Sequence, residues 1–224
     1  GGFVTRGNWF VRTFAVLAGL ALAGALTPRP SQAQGISFTP YVGSFYALKS
    51  FVDVTPQGGS HITIDQSNTA VFGARLTLPI GGTLSVEGAF GYAKSDVILR
   101  EADACVDPAN FQVDCSTNFS GNIITGSGRL LFKPRRANIW AILGGSYIKH
   151  SGKAWDDSST PETGDIGGVV GFGMRAVITS RIALNLTAEA TVYSFDPDGK
   201  DTLFDSKTQT DLIFSVGFPI SLSH

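Results

Sequence analysis

The chain has 224 residues, of which 43% are hydrophobic and only 16% charged, and a net charge of −1. That is enough chain for one ordinary domain, and the charge balance leaves no basic footprint for nucleic acid. Two cysteines ten residues apart, with no histidine near them, give a zinc site little support.

The first element is a leader. Arg6 and Arg12 precede an apolar run, TFAVLAGLALAGAL (Thr13 to Leu26), and Ser31 and Ala33 supply the small residues a signal peptidase needs. As a helix those fourteen residues would span about 21 Å, short of the roughly 30 Å hydrocarbon core, so the run is not a membrane anchor. The expected organisation is a secretory signal peptide over 1–33, removed on export, and one domain over 34–224. Loss of Arg6, Arg12 and Arg29 with the leader takes the net charge from −1 to −4. Export also permits a disulfide, and Cys105 and Cys115 are expected to bridge each other.

Eight segments of period-two alternation follow: Ile36 to Leu48, Asn68 to Pro79, Thr83 to Asp96, Asn122 to Pro134, Asn138 to His150, Asp165 to Thr179, Ile182 to Phe195, and Gln209 to Leu222. In the second, Ala70, Phe72, Ala74, Leu76 and Leu78 share one face, and Thr69, Gly73, Arg75 and Thr77 share the other. Strict alternation at this length predicts strands with one apolar face. The fifth segment, 138–150, is apolar on both faces and its sides cannot be assigned. Connections at 79–83, 134–138 and 179–181 are tight turns, whereas 49–67, 97–121, 151–164 and 196–208 are long and polar. Short turns at one end and long loops at the other predict an all-β, eight-stranded antiparallel up-and-down transmembrane barrel.

A soluble barrel with an apolar cavity would also alternate. Its outer face would carry many Lys and Glu, yet the polar face here is mainly Gly, Ser, Thr and Ala. The segments are also long enough to cross a bilayer when tilted, which takes about nine to eleven residues. Aromatics gather at strand ends, Phe38 and Phe218 near the turns and Tyr46, Tyr92, Tyr193 and Phe195 near the loops, as an interfacial girdle would. The apolar face is therefore assigned to lipid.

These features resemble the small eight-stranded outer-membrane barrels, the outer-membrane-protein-A-like and opacity-type surface proteins. The resemblance covers the segment after the leader and rests on architecture. Within it, Ser215, Gly217, Ile220 and Leu222 look like the assembly signal read by the barrel-assembly machinery, although the usual terminal Phe is replaced by a chain ending in SLSH. The resemblance implies a bacterial outer-membrane location, outer-membrane lipid and lipopolysaccharide as surroundings, an extracellular ligand at the loops, and no peptidoglycan-binding domain. Outer-membrane barrels also include lipid A acyltransferases and deacylases, which need a catalytic histidine partnered by a serine, and for want of such a set no catalytic activity and no cofactor are expected.

With the apolar face outside, Arg75, Glu87, Arg129, Arg175, Glu189 and Asp211 project into the lumen. Unpaired charges there would be costly, so they are expected to form a paired network, with Arg75 and Glu87 opposite each other across the first turn. An eight-stranded lumen is only wide enough for side chains, which favours a plug over a gate. The expected function is a structural or surface-interaction protein acting through four extracellular loops, the alternative being a narrow channel for small solutes or hydrophobic molecules.

Other motifs are weaker. His150 and Ser151 are adjacent in sequence and so point to opposite sides of a strand, a poor pair for proton transfer. His61 lies in a long loop and His224 is the last residue, which leaves no catalytic set. Asp196, Asp198 and Asp201 imitate a calcium loop, but Lys207 stands where a glutamate is required, so no metal site is expected. GNIITGSG (Gly121 to Gly128) has phosphate-loop spacing with Ser127 in place of the lysine. GDIGGVVGFGMRAV (Gly164 to Val177) is glycine-rich because it is a strand, with Gly167, Gly171 and Gly173 inward and space above Arg175.

Overall fold

A computed structural model of the chain describes residues 35–55, 61–106, 112–134, 137–155, 164–179, 183–195 and 207–222. The expected leader, Asp196, Asp198, Asp201 and His224 lie outside the described residues. Every regular element among the described residues is a strand: β1 (Ser37–Ala47), β2 (Val52–Val54), β3 (Ile62–Gln66), β4 (Thr69–Pro79), β5 (Leu84–Lys94), β6 (Val97–Val106), β7 (Gln112–Phe119), β8 (Asn122–Phe132), β9 (Ile139–Ser151), β10 (Gly164–Val177), β11 (Ala183–Phe195), β12 (Lys207–Gly217) and β13 (Ile220–Ser221).

Eight of these close a barrel. The antiparallel order runs β1, β4, β5, β8, β9, β10, β11, β12, and β12 returns to β1 with Tyr41 opposite Gly217 and Ala47 opposite Asp211. Closure leaves no free edge, so every strand satisfies its backbone groups within the sheet, as a structure in hydrocarbon must. The closing seam carries an irregularity at its turn end. The β12 ladder stops at Gly217, Phe218 donates its N–H to the Pro40 carbonyl (3.0 Å), and β13 resumes pairing with Ser37 and Phe38. Pro40 and Pro219 both lie in this gap, and neither has an amide N–H to donate.

Alternation sorts the two faces. Val42, Phe72, Phe90, Leu143, Phe172 and Phe214 are each at least 50% exposed, on strands spread around the whole barrel. A soluble monomer rarely exposes a continuous apolar band of this extent, and lipid is the solvent it suits. The fifth predicted segment now has sides: Ile142, Ser146, Ile148 and His150 of β9 are buried inside, and Ile139, Leu143 and Tyr147 face out.

Two of the expected polar loops are not simple loops. β2, β3, β6 and β7 form a second, four-stranded antiparallel sheet from residues 52–119, beyond the loop ends of β4, β5 and β8. The three barrel strands break at the same level, at Ser67, Ser95 and Gly121. There Ser95 Oγ donates to the Ser67 carbonyl (2.6 Å), the Asp96 N–H donates to Ser67 Oγ (2.8 Å), and the Ser95 N–H donates to the Gly121 carbonyl (3.0 Å). Side-chain hydroxyls thus take over backbone bonding where one ladder ends and the next begins. Cys105 and Cys115 are disulfide-bonded across the β6–β7 hairpin, with Cα atoms 5.5 Å apart.

Candidate functional site

The lumen is filled in two storeys. Toward the turn end lie Arg75 on β4, Glu87 on β5, Arg129 on β8 and Glu189 on β11, none more than 7% exposed. Glu189 reaches across the lumen to two arginines on the strands that flank β5, Arg75 Nη2 lying 2.9 Å from Oε1 while Arg129 Nη1 donates to Oε2. Arg129 Nε also lies 3.1 Å from Glu87 Oε1. Two cations and two anions give a neutral tetrad, the arrangement that makes burial of four charges tolerable.

Neutral donors complete it. Thr77 Oγ1 donates to Glu87 Oε2 (2.6 Å), Arg75 Nη2 donates to Ser215 Oγ (2.7 Å), and Ser215 shares a 2.6 Å hydrogen bond with Thr187. The Arg75 guanidinium carbon stands 4.0 Å over the Tyr41 ring, and Tyr41 donates its hydroxyl to the Phe90 carbonyl (3.1 Å). A charge held by a ring face and a hydroxyl as well as a carboxylate is fixed in position, not merely neutralised.

Three expectations about these charges need correction. Register places Thr77, not Arg75, opposite Glu87, so Arg75 is paired across the lumen with Glu189 instead of across the first turn. Arg175 is exposed, opposite Asn185 at the turn-end mouth of the barrel, and takes no part in the tetrad. Asp211 is buried (4%) but sits toward the loop end, opposite Thr191 and Ala47, and is outside these ion pairs.

The upper storey is mainly aromatic, with Gln209, opposite Tyr193, and Asp211 also buried at this end. Phe51, His150, Trp155, Tyr193 and Phe195 pack ring against ring, with centroids 4.7 Å apart for Phe51 and Phe195 and 5.1 Å apart for His150 and Trp155. Phe45, Ile123 and Ile148 are buried in the same cluster. His150 is fully enclosed and neither of its ring nitrogens has a hydrogen-bond partner. Tyr193 and Phe195 are therefore not girdle residues. They fall on the lumen side of β11, opposite in phase to Ala190 and Val192. Phe51 and Trp155 come from connections, where period-two patterning carries no signal.

The inward glycines of β10 mark close approaches. A Cβ at Gly167 would collide with the Val192 carbonyl and with Tyr193 Cβ, one at Gly171 with the Ala188 carbonyl, and one at Gly173 with the Trp140 ring. The clearing above Arg175 is filled by the indole of Trp140.

Of the remaining motifs, Ser215 is buried at the tetrad and Gly217 pairs with Tyr41, while Ile220 and Leu222 are exposed beyond the seam gap. His61 is exposed on the β2–β3 hairpin, its Nδ1 2.9 Å from Thr55 Oγ1 and its Nε2 3.3 Å from Asp53. Hydroxyl, imidazole and carboxylate stand in the order of a nucleophile relay, which sequence reasoning missed. Such chemistry uses a site that excludes water, and this trio lies in the open, where it pins the hairpin ends together. Among the described residues no group of three or more His, Cys, Asp or Glu could hold a metal ion.

No protein-family model matches the chain, and no curated protein matches it in sequence. Solved structures similar to it include the attachment invasion locus protein Ail of Yersinia pestis, in complex with the heparin analogue sucrose octasulfate. It is 9% identical over 84% of this chain and 100% of that one, with a TM-score of 0.43. Neisserial surface protein A is 8% identical over 84% of this chain and 96% of its own, with a TM-score of 0.42. The outer membrane protein OprG from Pseudomonas aeruginosa is 10% identical over 84% of this chain and 96% of its own, with a TM-score of 0.49. The eight-stranded barrel stands on its closed strand register, independently of these similarities.

Proposed function

We propose that the chain is an integral protein of a bacterial outer membrane, exported with cleavage after about Ala33, that works as a structural and surface-interaction barrel through its loop end. The observation that carries this reading is the filled lumen: an ion-paired tetrad below and an aromatic cork above. A barrel closed at two levels transmits nothing along its axis, and its accessible polar surface is the loop end with its disulfide-braced sheet. Outer-membrane lipid and lipopolysaccharide surround the apolar face, the assembly machinery reads Ser215, Gly217, Ile220 and Leu222, and the reading includes no catalysis. Planar-bilayer recording tests it: the protein should give no reproducible single-channel steps. Steps whose size changes in Arg75→Ala or Glu87→Ala would sink it.

The narrow channel is the second reading, and one observation favours keeping it. Two of the five rings of the cork, Phe51 and Trp155, are carried by connections and not by barrel strands, so they are the part that can swing away. A channel of that kind would be silent in the native protein and conduct when Phe51→Ala/Trp155→Ala is combined with Arg75→Ala, which opens both levels.

A further inference from the structure

The ion pairs of the lumen are balanced, but the turn end of the barrel is not. Lys133, directly after β8, and Arg175 on β10 are both exposed there. The Arg175 N–H donates to the Asn138 carbonyl (2.6 Å), which brings the β8–β9 turn beside Arg175, so the two cations share one stretch of rim. None of the segments that run from the tetrad to the turns, 76–86, 130–141 and 176–188, contains an Asp or Glu, and neither does the closing seam at 35–41 and 212–222. The carboxylates next in line, Glu87 and Glu189, are engaged by Arg75 and Arg129. In sequence the two connections on this side also carry Arg135, Arg136 and Arg181, which lie outside the described residues.

The positive charge covers an arc, not a ring. β8, β9, β10 and β11 are consecutive in the barrel, whereas the turn between β4 and β5 and the seam of β12, β13 and β1 carry no Lys or Arg at this end. On the same arc the wall beside the cations is apolar: Phe132, Ile139, Val177 and Ile178 are each more than half exposed. Ile178 lies beyond the last paired residue of β10, Val177, in the connection itself, and Ile80 is likewise exposed in the first turn. An isoleucine exposed in a turn gains nothing from water, so these two place the turns in the headgroup layer instead of clear of the membrane.

Cations at the rim with exposed apolar side chains beside them match an amphiphile, a negative head on hydrocarbon chains. Arginine and lysine suit phosphate oxygens, and basic clusters next to a membrane-spanning segment attract anionic lipid. A soluble acidic partner would leave the isoleucines and Phe132 unused.

We propose that this arc selects an anionic glycerophospholipid of the periplasmic leaflet, its phosphate on Lys133 and Arg175 and its acyl chains along Phe132, Ile139 and Ile178. The inference rests on the reading of the chain as an outer-membrane barrel with its turns toward the periplasm, and it adds the lipid which that barrel holds. The two fail separately, because lipid selectivity is measured on purified protein, whereas sidedness is measured by proteinase K cleavage of the loop end on intact cells.

The test is native mass spectrometry of the folded protein released from neutral detergent micelles that contain equal amounts of dioleoylphosphatidylglycerol and dioleoylphosphatidylcholine. The phosphatidylglycerol adduct should exceed the phosphatidylcholine adduct at least about twentyfold, as two cations at a membrane surface contribute about fivefold each. Lys133→Gln/Arg175→Gln should cut that ratio at least about tenfold, whereas Lys49→Gln/Lys94→Gln, the same change of charge at the loop end, should leave it unaltered. Should the first double variant lose its heat-modifiable gel shift, Lys133→Gln alone decides, with a fall of about fivefold expected. Neither glycerol 1-phosphate, the head without the chains, nor polyglutamate should displace the lipid at equal concentration. Equal adducts of the two lipids, a ratio that survives in the Lys133 variants, or one that falls as far in Lys49→Gln/Lys94→Gln overturns the proposal. Displacement by glycerol 1-phosphate or polyglutamate would assign the arc to a soluble anion and overturn it equally.

Discussion

Glu189 is the hinge of the tetrad, and replacing it with glutamine tests whether the four charges act as one unit. The change keeps the side-chain volume and leaves Arg75 and Arg129 sharing the single carboxylate of Glu87. Arg129 retains its own contact with Glu87 (3.1 Å), so the loss falls on Arg75, which keeps only Ser215 Oγ and the Tyr41 ring. Breaking a buried ion pair from one side costs about 3–5 kcal/mol. A hydrogen bond to a charged group and a cation–π contact each offset about 1–2 kcal/mol in partly desolvated settings. These two are already present in the native protein, so they cap the loss without cancelling it, and about 3 kcal/mol is expected.

With a urea dependence of about 2 kcal/mol per molar, the unfolding midpoint of Glu189→Gln in phospholipid vesicles should fall by about 1.5 M. The midpoint is followed by the difference in gel mobility between unheated and heated samples. The decisive variant is the double Arg75→Met/Glu189→Gln, which leaves the neutral Arg129–Glu87 pair and fills the place of the guanidinium with an apolar chain. It should recover at least half of the single variant's loss, since replacing a whole buried pair is often neutral. Additive costs in the double variant, or a Glu189→Gln midpoint equal to wild type, would refute the tetrad as a coupled unit.

Gly173→Ala should cost about 1–3 kcal/mol by driving a methyl into the Trp140 ring, while outward Gly88→Ala, which meets nothing within 4 Å, should fall within about 0.5 kcal/mol of wild type; urea midpoints of the pair separate lumen from lipid face. Trp155→Ala should destabilise by about 3–5 kcal/mol if the cork is part of the packed core, and a midpoint unchanged by the substitution would show the ring to be a loose lid. Reduction of the Cys105–Cys115 bridge should open the β6–β7 hairpin to proteinase K and leave the barrel's heat-modifiable gel shift intact, because β6 and β7 pair only within the second sheet and the disulfide lies there. Amide exchange should be fastest in the barrel wall near Phe218, where the ladder on β1 is interrupted between β12 and β13, and uniform protection along β1 would contradict the reading of that seam.

The legible part of this fold is the part governed by one bilayer and one period. Lipid demands an apolar residue at every second position and a closed hydrogen-bond ladder, so Phe72, Leu76, Phe172 and Met174 announce their face without any knowledge of the rest of the chain. Outside the bilayer that demand vanishes. The residues of β3 and β6 lie in water on at least one side, and Thr63, Asp65 and Arg100 carry no apolar alternation strong enough to mark a strand; they read as polar loop. Phe51 and Trp155 are two aromatics in such connections, and only their packing against Phe195 and His150 reveals that they turn inward.

Within the lumen, alternation reports which way a side chain points but says nothing of its depth or of what stands across from it. Arg75, Arg129 and Arg175 are equivalent by that rule, and two are buried at the tetrad while the third lies in water at the mouth. Depth depends on the stagger between strands, and partnership depends on walls that meet only after closure: Glu189 reaches Arg75 across 114 residues of sequence and Arg129 across 60. The glycines of β10 are the trace that packing leaves in the local sequence. Gly173 is small because the Trp140 ring needs its space, and Gly167 and Gly171 because the carbonyls of Val192 and Ala188 on β11 come too close for a Cβ, so a run of inward glycines in a narrow barrel marks close approach by the adjacent strands.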